Sequence, residues 1–277
     1  MITKERFAEI RTEVESSINE AFDLLKDTSE SNYALFLAVG EFSPLLDTNP
    51  QMSPYVIDDR TWFYDDETRQ IFLHTFLNTF YSFPKEVIQV EDDEFRLNLE
   101  LMVYSHVWES NSFLKMMYRL AHLVNGEAYS WKVEIPEMGK HDFIRNDIKE
   151  FFHKKSLSLY EIIPKGFNSS LRNAFAHSQY NIRTESKKIY LSNYKGDDRY
   201  QIKSLTFDEW SERFSYSIWL SYLLMNIHTQ RRKSIITDYG KDTFSIDHPK
   251  RDGTIKQVDI VFEPERNSVT FEVNLKK

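Results

Sequence analysis

Apolar residues recur at spacings of three and four over most of this 277-residue chain, and this periodicity limits the folds it can adopt. Such spacing places apolar side chains on one face of an α-helix, which must then be buried against other elements. The periodicity predicts helices over residues 3–26, 32–42, 66–82, 95–124, 143–152, 157–163, 168–177 and 207–232. We therefore expect a mainly α-helical protein.

Several helix ends are marked by capping residues. Asp65 or Asp66 is suited to cap the helix over 66–82, because a carboxylate accepts hydrogen bonds from the first free backbone N–H groups. The acidic run Glu91–Glu94 precedes the helix over 95–124 and suits the positive end of its dipole. Thr206 and Glu209 are spaced as a capping box for the last long helix, which we expect to end at its basic run near residue 232.

Two segments alternate polar and apolar residues with the period of β-strands. Residues 180–183 and 188–192 predict a small hairpin directly after the helix over 168–177, and residues 254–262 and 268–273 predict a C-terminal hairpin. Three prolines, Pro44, Pro50 and Pro54, predict an extended connection over 43–65. The strands are too few and too scattered for an α/β sheet, so the expected fold remains mainly α with two β-hairpins.

The composition excludes several classes of site. The chain contains no cysteine, which rules out disulfides, thiolate catalysis and cysteine-bound zinc. No apolar run approaches the roughly 18 residues of a membrane helix, and residues 1–10 are charged and amphipathic, unlike a signal peptide. Three histidines lie in predicted helices but have no second potential metal ligand four residues later. They are His74, His106 and His122, and we assign them to the core or the surface. We expect a cytoplasmic protein with no membrane contact.

Charge is distributed unevenly along the chain. The formal net charge is −8, but residues 1–100 carry 21 acidic and 8 basic side chains, whereas residues 149–188 carry 8 basic and 3 acidic ones. An acidic protein as a whole repels nucleic acid. A local basic stretch can still attract a phosphate backbone within a Debye length of about 8–10 Å. The basic stretch is therefore either a solvated face or a binding surface.

One polar cluster lies in the helix predicted over 168–177. Asn173 and His177 are four residues apart and share a helix face. Arg172 lies about 140° from His177 around the helix, but its long side chain can reach the same end. Ala174 and Ala176 leave room for another backbone or a ligand. The cluster is either a buried Asn–His pair with Arg172 capping carbonyl groups, or a functional site.

The run Arg172-Asn173-Ala174-Phe175-Ala176-His177 resembles the R-x4-H motif of HEPN domains. These are small helical bundles found in bacterial toxins, antiphage systems and RNA-processing enzymes. The resemblance covers residues 66–233, where helices precede the motif and a hydrophobic helix follows it after a hairpin insertion. An acidic helical N-terminal region, residues 1–60, and a C-terminal β-hairpin extension, residues 240–277, lie outside the HEPN-like bundle.

The resemblance implies a metal-independent endoribonuclease that acts as a homodimer with two motifs facing each other. His177 would take the proton from a ribose 2′-hydroxyl, and the resulting alkoxide would attack the adjacent phosphate. Arg172 would stabilise the charge that develops on the phosphoryl oxygens, and Asn173 would orient His177 or hold phosphate. The partner subunit's His177 is the candidate general acid. The products would be a 2′,3′-cyclic phosphate and a 5′-hydroxyl, formed without a cofactor.

Basic residues near the motif would supply a positive field for RNA, with binding that weakens as salt rises. The candidate RNA-binding residues are Lys154, Lys155, Lys165, Arg183, Lys187 and Lys188. A role in antiphage defence or in a toxin–antitoxin system, with an antitoxin or regulatory protein as partner, fits the resemblance. Two alternatives stay open. The protein is a non-catalytic HEPN-like module for protein or nucleotide binding or dimerisation, or its N-terminal carboxylates mask the basic groove.

Overall fold

The computed structural model describes residues 1–58, 60–84, 86–193 and 202–272, without the side chains of residues 60–67 and 264. Its α-helices are α1 Lys4–Thr28, α2 Glu30–Leu37, α3 Pro44–Asp47, α4 Arg60–Phe80, α5 Glu94–Glu109, α6 Asn111–Leu123, α7 Lys140–Asp142, α8 Glu150–Lys154, α9 Leu159–Gly166, α10 Ser169–Ala176 and α11 Phe207–Tyr239. A π-helix, Phe143–Lys149, joins α7 to α8. The prediction of a mainly helical protein is confirmed.

The strands are short and antiparallel. They are β1 Glu41–Phe42, β2 Tyr55–Val56, β3 Tyr180–Arg183, β4 Lys188–Leu191, β5 Ser204–Thr206, β6 Thr243–Pro249, β7 Ile255–Glu263 and β8 Ser268–Phe271. Within the described residues they pair in the orders β1-β2, β3-β4-β5 and β6-β7-β8. Both predicted hairpins are present, and each has a third strand, β5 or β6, that the alternation did not reveal. Val273, the predicted end of the last strand, lies outside the described residues.

Helix α11 lies at the centre of the packing. Helices α1, α9, α5, α4 and α2 all contact it, and Trp210 and Phe214 on α11 are fully buried. The apolar face of α1, including Ile10 and Val14, is buried in the same cluster, as is Phe244 of β6. Residues from the sequence-defined regions 1–60, 66–233 and 240–277 therefore contribute to one hydrophobic core.

The start of α11 follows the sequence prediction and its end does not. Thr206 Oγ1 accepts a hydrogen bond from the Glu209 backbone N–H at 3.2 Å, and Glu209 Oε2 accepts one from the Thr206 N–H at 2.7 Å. The helix then continues past residue 232 to Tyr239 and stops at Gly240, whose φ is +68°. Arg232 is buried and donates to the Leu37 carbonyl, so part of the basic run belongs to the helix interior.

The helix predicted over 95–124 is two helices. Ser110 has extended backbone angles and its side chain caps α6, which separates α6 from α5. Asp93 accepts from the Phe95 and Arg96 N–H groups, so the acidic run does contain the cap of α5.

Two other boundaries were wrong. Helix α4 begins at Arg60, so neither Asp65 nor Asp66, whose side chains lie outside the described residues, is its cap. The connection predicted as extended contains α3 and the start of α4, and residues 41–42, predicted as helical, form β1. Within the described part of the chain, no helix combines the length and apolar character needed to cross a membrane.

Candidate functional site

Helix α10, which carries Arg172, Asn173 and His177, is held at its first turn and along its buried face. Asn168 caps it by accepting from the Leu171 N–H at 3.1 Å, and the Asn168 N–H donates to the Tyr104 hydroxyl of α5 at 2.9 Å. Phe175 packs edge-on against Tyr104 and against Trp210 of α11, with ring centroids 5.7 and 5.2 Å apart. The position of α10 is therefore set by α5 and α11.

His177 lies at the C-terminal end of α10, where the chain turns toward β3. Its backbone N–H donates to the Asn173 carbonyl at 3.1 Å, and Ser178 follows with a φ of +54°. The His177 side chain is exposed and has no hydrogen-bond partner among the described residues. The buried Asn–His pair that the spacing also allowed is therefore not formed, and the His177 imidazole is accessible to a ligand.

Arg172 is bound by a carboxylate rather than by carbonyl groups. Its guanidinium Nη1 lies 2.8 Å from Oε1 of Glu109, the last residue of α5, and only 17% of the Arg172 side chain is exposed. The other Glu109 oxygen accepts from Lys140 Nζ of α7. Arg172 Nε is buried without a hydrogen-bond partner in the described residues. Glu109 thus fixes the Arg172 side chain and joins α10, α5 and α7.

A cavity of about 330 Å³ opens between α5, α10 and the start of β3. It is lined by Leu101, Met102, Ser105, His106, Glu109, Phe175, Ala176, Ser178 and Tyr180. Ala176 and Ser178 flank His177 in the sequence, and Glu109 binds Arg172. The motif therefore lies next to this cavity, which we call the motif cavity, although Arg172 and His177 are not themselves among the residues that line it.

A second cavity of about 470 Å³ lies between α4, α5 and α11. Its walls are mainly apolar and include Phe72, Val103, Phe113 and Met225. His106 lines both this apolar cavity and the motif cavity. The two cavities are therefore neighbours on the surface of α5.

Two of the six candidate RNA-binding residues are held by acidic residues of the first hundred positions. Lys165 Nζ lies 3.1 Å from Glu13 Oε2 of α1, and Lys187 Nζ lies 2.6 Å from Asp92 Oδ2. Burial lowers the pKa of Lys165, but hydrogen bonds to Glu13 and Tyr216 outweigh that effect and raise it. The hydrogen bond to Asp92 raises the pKa of Lys187. Both lysines are therefore charged and already paired.

The other four candidates form two pairs, Lys154 with Lys155 at the end of α8 and Arg183 opposite Lys188 where β3 pairs with β4. Lys154 Nζ sits 3.4 Å from the centre of the Phe151 ring, and Arg183 lies over Tyr190 at 5.2 Å. Lys155 is exposed at the end of α8, and Lys188 is half-buried on β4. As far as the described residues show, none of the six lines the motif cavity. The structure places Arg172 and His177 next to the motif cavity but does not gather the basic residues around it.

Sequence reasoning missed Glu109 and His106. From the sequence alone, His106 was assigned to the core or the surface because no second potential metal ligand lies four residues later in the chain. The signal that could have drawn attention to it is Glu109, three residues later on the same helix face. In the described ranges, no group of three or more His, Asp and Glu side chains is placed to hold a metal ion.

Similarity to known proteins gives no further guide to this site. Neither models of protein families, nor curated proteins, nor solved structures match the chain. The functional assignment therefore depends on the residues of α5 and α10 and on their chemistry.

Proposed function

We propose that this protein is a metal-independent endoribonuclease of the HEPN type. The observation that carries the proposal is the arrangement on α10, where His177 is exposed and Arg172 is held by Glu109, a residue that lines the motif cavity together with the two sequence neighbours of His177. An imidazole is the side chain best suited to move protons near neutral pH. A guanidinium binds phosphate oxygens through two parallel hydrogen bonds. The pair suits cleavage of a phosphodiester.

The reaction begins when the neutral His177 imidazole accepts the proton of a ribose 2′-hydroxyl. The O2′ then attacks the adjacent phosphorus, and the bond from phosphorus to O5′ breaks. Arg172 stabilises the negative charge that builds up on the non-bridging oxygens. Asn173, half-buried one turn before His177, orients the imidazole or the phosphate. The products are a 2′,3′-cyclic phosphate and a 5′-hydroxyl.

Glu109 acts through Arg172 as a positioning residue. Its carboxylate holds Nη1 at 2.8 Å and leaves Nη2, which is not paired within the described residues, to bind a phosphate. A fixed charge stabilises a transition state better than a mobile one, because no reorganisation is needed during the reaction.

The proposal is tested with purified protein and end-labelled single-stranded RNAs of several lengths in the presence of EDTA. The wild type is expected to release fragments with 2′,3′-cyclic phosphate and 5′-hydroxyl ends. Arg172→Ala and His177→Ala should each slow cleavage by at least about 100-fold. Arg145→Ala and His141→Ala are matched controls, since both side chains are exposed and pair with Asp142 rather than bordering the cavity.

Two results would contradict the proposal. One is a wild type that cuts none of these RNAs, and the other is cleavage that survives in both motif variants.

Growth of cells expressing wild type beside His177→Ala tests the proposed role in defence or toxin–antitoxin biology, because an active ribonuclease slows growth. Light scattering tests the homodimer that the HEPN resemblance implies.

A second candidate function is non-catalytic binding by the same module. It is favoured by the Arg172–Glu109 contact, because an arginine that is already paired can serve to hold α10 against α5. In that case RNA or another ligand would bind without being cut. Fluorescence anisotropy with labelled RNA, measured beside the cleavage assay, separates binding without cleavage from the endoribonuclease.

A further inference from the structure

We propose that His106 of α5 donates the proton to the leaving 5′-oxygen, an inference that rests on the ribonuclease function proposed above. Cleavage through a 2′-hydroxyl needs two proton transfers, one from O2′ and one to O5′. His177 can perform only one of them in a single turnover. The structure places a second imidazole, His106, in the wall of the motif cavity, which the residues before and after His177 also line.

The placement of His106 follows from the geometry of α5. It precedes Glu109 by three residues, which is about 4.5 Å along the helix axis, and the two share a face. Both line the motif cavity, whose other wall includes Ala176 and Ser178 on either side of His177. A phosphate held by the Glu109-bound guanidinium of Arg172 would therefore lie near His106 on α5 and near the end of α10, where His177 is exposed.

His106 has no structural task in the described part of the chain. Its side chain is exposed and has no hydrogen bond or ring contact there. His122, in contrast, is stacked between Tyr118 and Phe151 at 3.9 and 3.7 Å, and His228 is buried and bonded to the Phe36 carbonyl. A histidine that the fold does not use and that lines a cavity beside a paired arginine is available for proton transfer.

The apolar cavity indicates which proton transfer His106 performs. His106 forms part of the wall of both cavities, so an RNA strand that occupies both must pass it. The volume of about 470 Å³ and the walls that include Phe72, Val107 and Phe113 suit the flat face of a nucleobase. A base held there would set its own O5′ beside His106, while the ribose that carries the attacking O2′ stays near His177.

The step balances without another reactant. The proton of the 2′-hydroxyl moves to neutral His177 as the O2′–P bond forms. The P–O5′ bond breaks with its electron pair on O5′, which takes a proton from protonated His106. Water then restores both imidazoles to their starting states. The HEPN resemblance assigns the second role to the partner subunit's His177 instead, and the two assignments predict different variant behaviour.

The experiment uses two matched oligonucleotides, one with an ordinary phosphodiester and one with sulfur in place of O5′ at the cleavage point. A thiolate leaves without protonation, so the sulfur substrate does not need a general acid. The enzymes are wild type, His106→Ala, His106→Gln, His177→Ala and the control His141→Ala. Thermal unfolding of each variant verifies that it is folded.

We expect both His106 variants to cut the oxygen substrate at least about 100-fold more slowly than wild type, but to cut the sulfur substrate within a few fold of it. His177→Ala should lose activity on both substrates, and His141→Ala on neither.

The inference is overturned if His106→Ala cuts the oxygen substrate as fast as wild type, or if it is equally slow on both substrates, since the latter indicates a structural or binding role. In either case the ribonuclease proposal still stands, provided that cleavage by the protein depends on Arg172 and His177. A wild type that cuts neither substrate overturns both proposals.

Discussion

Glu100 of α5 is a carboxylate that is buried in the core. It accepts hydrogen bonds from the Tyr81 hydroxyl at 2.6 Å and from Trp210 Nε1 at 2.7 Å, and Arg96 Nε lies 3.0 Å away. Its side chain is fully buried, and burial raises its pKa although Arg96 and the two donors oppose that effect. Trp210 also supports Phe175 of α10, so this network helps to hold the motif helix in place.

Removing the Glu100 carboxylate should destabilise the protein strongly. Glu100→Ala leaves Tyr81 and Trp210 without their acceptor and Arg96 without its counter-charge in the core, and we expect a loss of roughly 3–5 kcal/mol in the free energy of unfolding. Urea denaturation of wild type and variant measures it. Glu161→Ala, at an exposed site on α9, is the control and should change stability by less than about 0.5 kcal/mol. Equal effects of the two substitutions would contradict this view of the network.

At the residue scale, sequence patterns reveal neighbours along the chain better than neighbours in space. Arg172 and His177 could be found because they lie on one helix and follow a spacing. The approach of Glu109 and His106 to the motif could not be predicted, because they lie more than sixty residues earlier and come near it only when α5 packs against α10. No local rule of spacing carries that information.

Among the elements, α11 has the greatest influence on stability because it contacts most other helices. His228 on this helix is buried against Phe36, with ring centroids 5.5 Å apart, and its Nε2 lies 3.2 Å from the Phe36 carbonyl. Burial, together with the nearby charge of Arg232, lowers the pKa of His228 to about 4. The fold therefore holds this imidazole neutral at pH values where an unfolded chain protonates it.

The stability of the protein should fall in acid because of His228. Its contribution is fully present above the unfolded pKa of about 6.5 and is lost as the pH falls toward the folded pKa of about 4, a difference of about 3 kcal/mol. His228→Gln should show a smaller loss over this range in urea denaturation. His153→Gln, at an exposed position, is the control. An unchanged pH dependence in His228→Gln would rule out this assignment.

The ends of the helices show where local signals succeed and fail. The capping box of Thr206 and Glu209 is a purely local device, so the sequence predicted it correctly. The basic run near Arg232 has the composition of a helix C-terminus. Arg232 nevertheless lies inside α11, where its buried side chain contacts Leu37 and Asp58. Ser110 interrupts a continuous apolar periodicity, and periodicity alone cannot detect such a break.

For the whole molecule, the charge gradient along the sequence becomes a set of ion pairs across the fold. Glu13 and Asp92, from the acidic first hundred residues, pair with Lys165 and Lys187 from the basic stretch. The carboxylates would compete with a phosphate backbone for these lysines. This is the arrangement expected if the N-terminal part restrains RNA binding.

Neutralising the two carboxylates should strengthen RNA binding. We expect the double variant Glu13→Gln, Asp92→Asn to lower the Kd for single-stranded RNA several-fold at roughly 50 mM salt and to differ less from wild type at roughly 200 mM, because salt screens exposed charges. The matched control is Glu30→Gln, Asp47→Asn, which makes the same charge change at pairs with Lys241 and Arg251. Anisotropy titrations measure the effect, and an equal gain in the control would show that only net charge matters.

The fold class could be predicted from the sequence, but the third strand of each of the two larger sheets could not. Helical periodicity and the two hairpins follow from local pattern, which is why a mainly α fold with small β elements was expected. Strand β5 has only three residues, and β6 carries Asp247 and Pro249, which weaken the strand signal. Strand β5 is stabilised by pairing with β4, and β6 by pairing with β7. Such pairing depends on the complete fold.

The packing of α1 against α11 also affects how this protein is made. Helix α1 cannot complete the burial of its apolar face until α11 has been synthesised, because about 180 residues separate the two helices. Contacts so distant in sequence slow folding and leave apolar surface exposed on the nascent chain. Helix α10 packs on Trp210 of α11, so α11 must also be synthesised before Arg172 and His177 reach their final positions.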